Sequence, residues 1–268
     1  MKTSRKLIIA SLALLVTVSI SGCLAITNPT VANTENYAKS LPTVEKTSIE
    51  SRMFSFGANG TAYTIKAYMK SNVSLKAIYD AQKGVIARSK PRDPEVVLVY
   101  HGVSIPVETP KAAVAFLYRS LPTTIAGGAI NLSPIAGYES GVKFKYIEIE
   151  YLLKDKASML AQAAKLVTYP EVQSGVFVVN VGAPNERYMI TGVSSVSRTY
   201  ATAKALEHFP QVSQYYISDL FVHVEVAPDT SKQIIDEITL TLQQIKNTPF
   251  NDGTDGSWEI QNVGPAVN

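Results

Sequence analysis

The sequence predicts an α+β fold: a mainly antiparallel sheet with helices covering one face. Three observations carry that expectation. Apolar residues switch between period-2 and period-3.6 spacing along residues 61–246. Turn formers such as Gly182-Ala183-Pro184-Asn185 separate the stretches. The composition, 46% hydrophobic and 18% charged over 268 residues, is that of a globular chain able to bury a sizeable core. It excludes disordered, collagen-like and disulfide-built classes. A single cysteine also excludes an internal disulfide and any multi-cysteine metal site.

Residues 1–22 have the pattern of a signal peptide. Met1 to Lys6 is basic, and Leu7 to Ile20 is apolar but too short to span a bilayer comfortably. The segment ends in Ile20-Ser21-Gly22-Cys23, an aliphatic residue, two small ones and the only cysteine of the chain. This resembles the lipobox of bacterial lipoproteins. The resemblance covers about 25 residues and implies that the Cys23 thiol takes a diacylglycerol before cleavage on its amino side. It further implies anchoring to membrane lipid through acylated Cys23. Residue 24 is Leu rather than Asp, which in a two-membrane envelope implies the outer membrane, facing the periplasm.

Residues 23–47 hold Thr, Asn, Pro, Glu and Lys with no sustained period, so a lipid anchor and flexible tether are expected there. A chain of about 24 residues would reach on the order of 27 Å. A chain starting near Ser48 is accordingly expected to fold. Residues 48–142 form an N-terminal α/β part: a strand at Thr61–Met69, a helix at Val73–Arg88, one buried strand at Glu95–Val107, and a helix at Lys111–Leu121 with Thr109 as N-cap and Pro110 at its first position. Residues 122–141 carry Gly, Ala and Pro and no clear period.

Residues 143–246 are more regular. Strands are expected at Lys143–Tyr151, Gly175–Val181, Arg187–Val193 and Leu220–Val226, with helices at Ala157–Val167 and Arg198–His208. The order β-α-β-β-α-β over 143–226 is that of a ferredoxin-like unit. Val176 and Val178 would face its helices. Ser158–Val172 and Arg198–Val212 align at an offset of 40, with Ala161/Ala201, Ala163/Ala203, Leu166/Leu206, Pro170/Pro210 and Val172/Val212 identical. Two copies suit two βαβ halves rather than a solenoid, which needs at least three. A last helix, Ser231–Lys246, carries the stripe Ile234, Ile235, Ile238, Leu242 and Ile245. Residues 247–268 read as a polar tail pinned by Trp258.

Charge and motifs bound the function. Lys2, Arg5 and Lys6 account for the whole net charge of +3, leaving 22 basic against 22 acidic residues from residue 23 onward. A nucleic-acid partner is not expected from a chain with no basic surplus. No phosphate-cradling loop, dinucleotide fingerprint, nucleophile elbow or His-Glu-x-x-His is present, so no cofactor, metal or catalytic residue is expected.

The weak candidates are His223 with Glu225, and Glu148 with Glu150. Alternation puts each pair on one strand face, opposite a core row that for His223 is Leu220, Val222, Val224 and Val226. Same-face neighbours are about 7 Å apart, which predicts no direct His223–Glu225 contact. Around Tyr146 the polar residues change phase, predicting a bulge or a strand exposed on both faces. Asn251-Asp252-Gly253-Thr254-Asp255-Gly256 fails as a calcium loop, having Gly253 and Asn262 where ligands belong.

The expected function is a lipid-anchored envelope protein whose domain binds other proteins or stabilises an assembly. The alternatives are a ligand-binding or transport-accessory domain with an apolar pocket around Ile125–Tyr138, or an envelope hydrolase in which His223 meets a carboxylate and a hydroxyl.

Overall fold

The computed structural model describes residues 28–54, 60–89, 94–134, 144–183, 188–192, 196–218, 221–246 and 257–262. The lipobox residues Ile20, Ser21, Gly22 and Cys23 lie outside these, as does the Asn251–Gly256 stretch.

The described residues begin with a helix, α1 (Pro29–Ser40), where a tether is expected. The Asn28 carboxamide oxygen caps it by accepting from the Thr30 N–H at 3.0 Å, and Pro29 occupies its first position. Val31 and Ala38 are fully buried. The helix is hard to see in the sequence because its buried stripe is only Val31, Thr34 and Ala38 among polar residues.

Strands β1 (Val44–Phe54) and β2 (Gly60–Met69) follow as an antiparallel pair. Helix α2 (Leu75–Ile86) is capped by the Ser74 hydroxyl and buries Ile78, Ala81, Gln82 and Val85. The expected single strand at Glu95–Val107 is instead a hairpin, β3 (Glu95–Tyr100) and β4 (Val103–Pro106). His101 and Gly102 form its turn at φ 49° and 79°, the left-handed pair that a two-residue hairpin loop requires. Helix α3 (Lys111–Ser120) is preceded by Pro110 at the cap position with no side-chain cap. Thr109 does not cap it, and its hydroxyl is buried without a partner.

Residues without clear period hold β5 (Gly127–Pro134), which pairs with β6 (Phe144–Leu152) across the expected boundary at 142/143. Their register shifts where Ser133 and Pro134 face Tyr146 and Phe144, leaving Lys145 extra, so the bulge reading holds. Helix α4 (Lys156–Leu166) is capped by Asp155, which accepts from the Ser158 N–H at 2.8 Å. After a short turn, α5 (Pro170–Gln173), come the hairpin strands β7 (Phe177–Ala183) and β8 (Tyr188–Gly192), then helix α6 (Val196–Leu206). Strand β9 (Val212–Ile217) pairs with β10 (Phe221–Val226). Helix α7 (Lys232–Lys246) leads to β11 (Ser257–Asn262), where a loose tail is expected.

Among the described residues these strands form one eleven-stranded sheet in sequence order. Neighbours alternate strictly: each hairpin is antiparallel, and each helical crossover joins parallel strands. Five of the ten neighbour pairs are parallel, so the sheet is mixed rather than mainly antiparallel. The ferredoxin-like order places another strand between the two joined by a crossover. Here those strands are direct neighbours, Ile147 against Phe177 and Tyr188 against Tyr215. The repeating unit is ββα. The offset-40 echo marks adjacent copies, because α4 and α6 start at Lys156 and Val196.

One sheet face is buried throughout. Ile65, Val96, Leu98, Ile105, Ile130, Ile149, Val179, Ile190, Tyr215 and Val224 fall in register on it. In β7 the helix-facing residues are Phe177, Val179, Val181 and Ala183. The expected Val176 and Val178 are out of phase, with Val176 55% exposed. The helices lie side by side on this face: the Tyr79 hydroxyl of α2 donates to the Lys111 carbonyl of α3, and Gln162 of α4 donates to the Ser120 carbonyl of α3.

A topological consequence follows. Successive crossovers always move to the same side, yet join strands of opposite direction. With every helix on one face, the crossovers must alternate in hand, so every second one departs from the usual right-handed preference.

Polar groups stitch the helix layer together. The Ser120 hydroxyl and the Tyr151 hydroxyl lie 2.5 Å apart in the core. Gln82 donates to the carbonyls of Val107 and Thr109, holding the loop before α3. The Lys156 ammonium pairs with Glu207 at 2.5 Å and sits over the Tyr188 and Tyr215 rings, tying the start of α4 to the end of α6.

Candidate interaction surface

The opposite sheet face carries no helix among the described residues. Its composition changes along the strand order. On β1–β3 the charges are mixed and paired: Lys66 meets Glu50 at 2.6 Å, the Thr64 hydroxyl donates to Glu95 at 3.0 Å, and Lys46 lies over the Tyr68 ring. Strands β5–β11 are different. They contain four glutamates, Glu148, Glu150, Glu225 and Glu259, and one lysine, Lys145 at the bulge. Alternation puts all four glutamates on the open face, because Ile149, Tyr151, Val224 and Val226 occupy the other.

Glu148 sits in a row of amides. Asn131 of β5 donates to one of its oxygens at 3.4 Å, and Asn180 of β7 donates to the other in a short contact. Asn180 is only 9% exposed, and its own carbonyl oxygen is buried with no partner. The carboxylate fixes the amide orientation, since the reversed amide would set oxygen against oxygen. Glu150 faces Asn180 directly across the β6–β7 ladder. Asn180 is the residue that sequence reasoning passes over. Its signal is a lone polar residue inside the buried run Phe177–Val181.

His223 lies between two carboxylates. Its Nε2 is 3.4 Å from Glu225, at the outer edge of hydrogen-bond range, and its Nδ1 is 3.6 Å from Glu259. The same-strand contact with Glu225 departs from the 7 Å expectation because both side chains lean together off the strand. Glu259 comes from β11, paired with His223 in register. Its signal is the alternation Trp258-Glu259-Ile260-Gln261, which marks a strand.

Each ring nitrogen faces a different carboxylate, so the three groups do not converge on a common point. No cluster of three or more His, Cys, Asp or Glu among the described residues is arranged to hold a metal ion.

Other polar and glycine positions lie apart from these groups. His101 sits in the β3–β4 turn with its ring against Tyr100 and Nε2 at 3.0 Å from the Ser71 carbonyl. Gly127 and Gly128 begin β5, a paired strand. Residues 127–134 of the expected pocket region are thus part of the sheet.

Around the glutamates the face carries Gln214, Thr191, Gln261 and the exposed ring of Tyr216, with Phe221 stacked on His223. The result is a broad surface of carboxylates and amide acceptors with an aromatic patch. Such a surface accepts hydrogen bonds and attracts cations. No helix among the described residues is long and apolar enough to cross a membrane. No protein-family model matches the chain, and no curated protein or solved structure matches it.

Proposed function

We propose that the chain is a lipid-anchored envelope protein whose domain is non-catalytic and docks a basic segment of another protein on the helix-free face of β5–β11. The observation that carries the docking reading is the charge of strands β5–β11: they contain four glutamates, all on that face, and one lysine. Charge complementarity of this kind steers association and suppresses wrong partners more than it adds affinity. The Asn131 and Asn180 amides, donating to Glu148, fix the orientation of its carboxylate and so give the charge a direction. The anchor rests on the Ile20–Cys23 lipobox, and Leu24 favours the outer membrane, with the domain in the periplasm.

The test is affinity capture from crosslinked envelopes with the acylated chain as bait. The wild type is expected to retain a partner through a basic segment, with retention falling as salt rises. The variant Glu148→Gln/Glu150→Gln/Glu225→Gln/Glu259→Gln is expected to lose it. Equal, salt-insensitive retention by both would overturn the docking reading. Separately, Cys23→Ser is expected to abolish fatty-acid labelling, and normal labelling of that variant would overturn the anchor.

A further inference from the structure

We infer that the β9–β11 end of the helix-free face takes an arginine of the docked segment, its guanidinium stacked on the Tyr216 ring and paired with Glu225. This rests on the docking reading above and names the side chain that the site selects.

Two rows of side chains cross these three strands in register. Tyr216, His223 and Glu259 form one, and Gln214, Glu225 and Gln261 the next. Tyr215 and Ile217 are buried on the helix side, so Tyr216 stands on the open side. Glu225 is its diagonal neighbour, about 7–8 Å away and within reach of a long side chain. The Tyr216 ring is 41% exposed. The other large apolar side chains left exposed among the described residues are Ile86, Tyr118 and Leu240 on helices and Val176 ahead of β7, so Tyr216 alone stands within a strand. Among the described residues no hydrogen bond, ion pair or ring contact engages the side chains of Tyr216, Gln214 or Gln261.

Elsewhere the chain covers tyrosine rings with its own cations. Lys46 lies over Tyr68, Lys111 over Tyr79, Lys156 over Tyr188 and Tyr215, and Arg88 over Tyr37. At Lys156 a carboxylate completes the set, because Glu207 pairs with the ammonium. Tyr216 has the ring and the nearby carboxylates but no cation. Strands β9, β10 and β11 contain neither lysine nor arginine. The arrangement is that of the Lys156 cluster with the positive charge left out, and a docked basic segment brings that charge.

Arginine fits this place better than lysine. The lysine ammonium groups stay 4.5–5.5 Å from the centroids of the rings they cover, whereas Arg88 closes to 3.6 Å. A planar guanidinium lies flat on a ring and keeps the donors along its edge for a carboxylate. Here that edge meets Glu225, with the amides of Gln214 and Gln261 on either side of it. Glu259 is 3.6 Å from the His223 Nδ1, beyond hydrogen-bond range, so its oxygens remain open to the same ligand. A second copy of the face would set glutamates against glutamates, and a neutral sugar would leave the carboxylate charge unanswered.

The test is isothermal titration of the full chain in neutral detergent with two blocked peptides, one alternating Gly with Arg and the other Gly with Lys. The wild type is expected to bind the arginine peptide about 3- to 5-fold more tightly than the lysine peptide. Tyr216→Ala is expected to remove that difference while leaving lysine binding unchanged, and Tyr216→Phe, which keeps the ring, to retain it. Glu225→Gln/Glu259→Gln is expected to weaken both peptides, with each variant shown by its melt to be folded. Equal affinity of the wild type for the two peptides, both weakened by the glutamate substitutions, would overturn the arginine site and leave the docking reading standing. Binding of neither peptide at low salt would overturn the docking reading, and the inference with it. An arginine preference that survives Tyr216→Ala would put the arginine elsewhere and overturn this site. Chitotriose binding or self-association that Tyr216→Ala abolishes would mean that a sugar or a second copy covers the ring, and would overturn it too.

Discussion

Val31 discriminates most sharply between a tether and a folded N-terminal helix. It is fully buried in α1, within the main core. Val31→Ala removes two buried carbons, about 1.6 kcal/mol at 0.8 kcal/mol per methylene. The cavity left behind raises the cost to about 2 kcal/mol or more. Val31→Asp keeps the volume but buries a carboxylate with no partner, costing about 3 kcal/mol or more. For a domain of this size each kcal/mol lowers Tm by about 2–4 °C, so Val31→Ala should melt about 4–8 °C below the wild type and Val31→Asp lower still. Asn36→Ala, on the exposed side of the same helix, should stay within about 0.5 kcal/mol. The assay is thermal unfolding by circular dichroism on the chain from Leu24 onward. If all three variants melt with the wild type, α1 is not part of the cooperative fold.

Other perturbations test other parts of the structure. A chain starting at Ser48 lacks α1 and the first residues of β1, and it is expected to lose the sharp melt that the chain from Leu24 shows. Burial pushes the Tyr151 and Tyr215 hydroxyls well above the ordinary phenol range. The folded state thus holds protons that the unfolded chain releases above pH 10. The stability these groups contribute is complete below that pH and is lost as pH rises, at about 1.4 kcal/mol per pH unit for each tyrosine. Urea midpoints at pH 8, 10 and 11 should fall steeply for the wild type and less so for Tyr151→Phe/Tyr215→Phe. A side chain at Gly128 would bring its Cβ to 2.2 Å from the Glu150 carbonyl, whereas at Gly127 the nearest atom is 3.9 Å away. Gly128→Ala should therefore lower Tm markedly and Gly127→Ala hardly at all, as read by differential scanning calorimetry.

The sequence reveals the helices better than the sheet. Helices α2, α3, α4 and α7 carry periodic apolar stripes, and their limits fall within a few residues of the expected ones. Five strands are not foreseen, β1, β4, β5, β9 and β11, and for three of them a separate reason can be named. The turn between β3 and β4 is His101-Gly102, outside the usual Asn-Gly and Asp-Gly signals, so the hairpin looks like one long buried strand. Strand β9 begins directly after the aromatic-Pro pair closing α6, with buried Val212 and Tyr215 set three residues apart by the bulge against β10. Strand β11 lies within a polar tail. Omitting β9 alone turns β6-α-β7-β8-α-β9-β10 into the order βαββαβ, which is how a tandem repeat comes to resemble a split βαβ unit. The acidic surface was half visible. Glu148, Glu150 and Glu225 can be placed on strand faces from alternation, whereas Glu259 needs β11, and Asn180 needs the neighbour that gives it a role.

The alternation of crossover hand has a consequence for how such a chain can change in length. Strand direction is restored only after two ββα units, so the true period is a double one. Leu75 to Lys156 spans 156 minus 75, or 81 residues, and Lys156 to Lys232 spans 232 minus 156, or 76. Gaining or losing a single unit would invert every strand beyond it, moving each later loop to the opposite end of the molecule and presenting the last strand backwards at the sheet edge. Gaining or losing two would leave all of these in place. Parity is thus a constraint on this architecture: a lineage of such sheets would be expected to grow by even steps, each of about 80 residues.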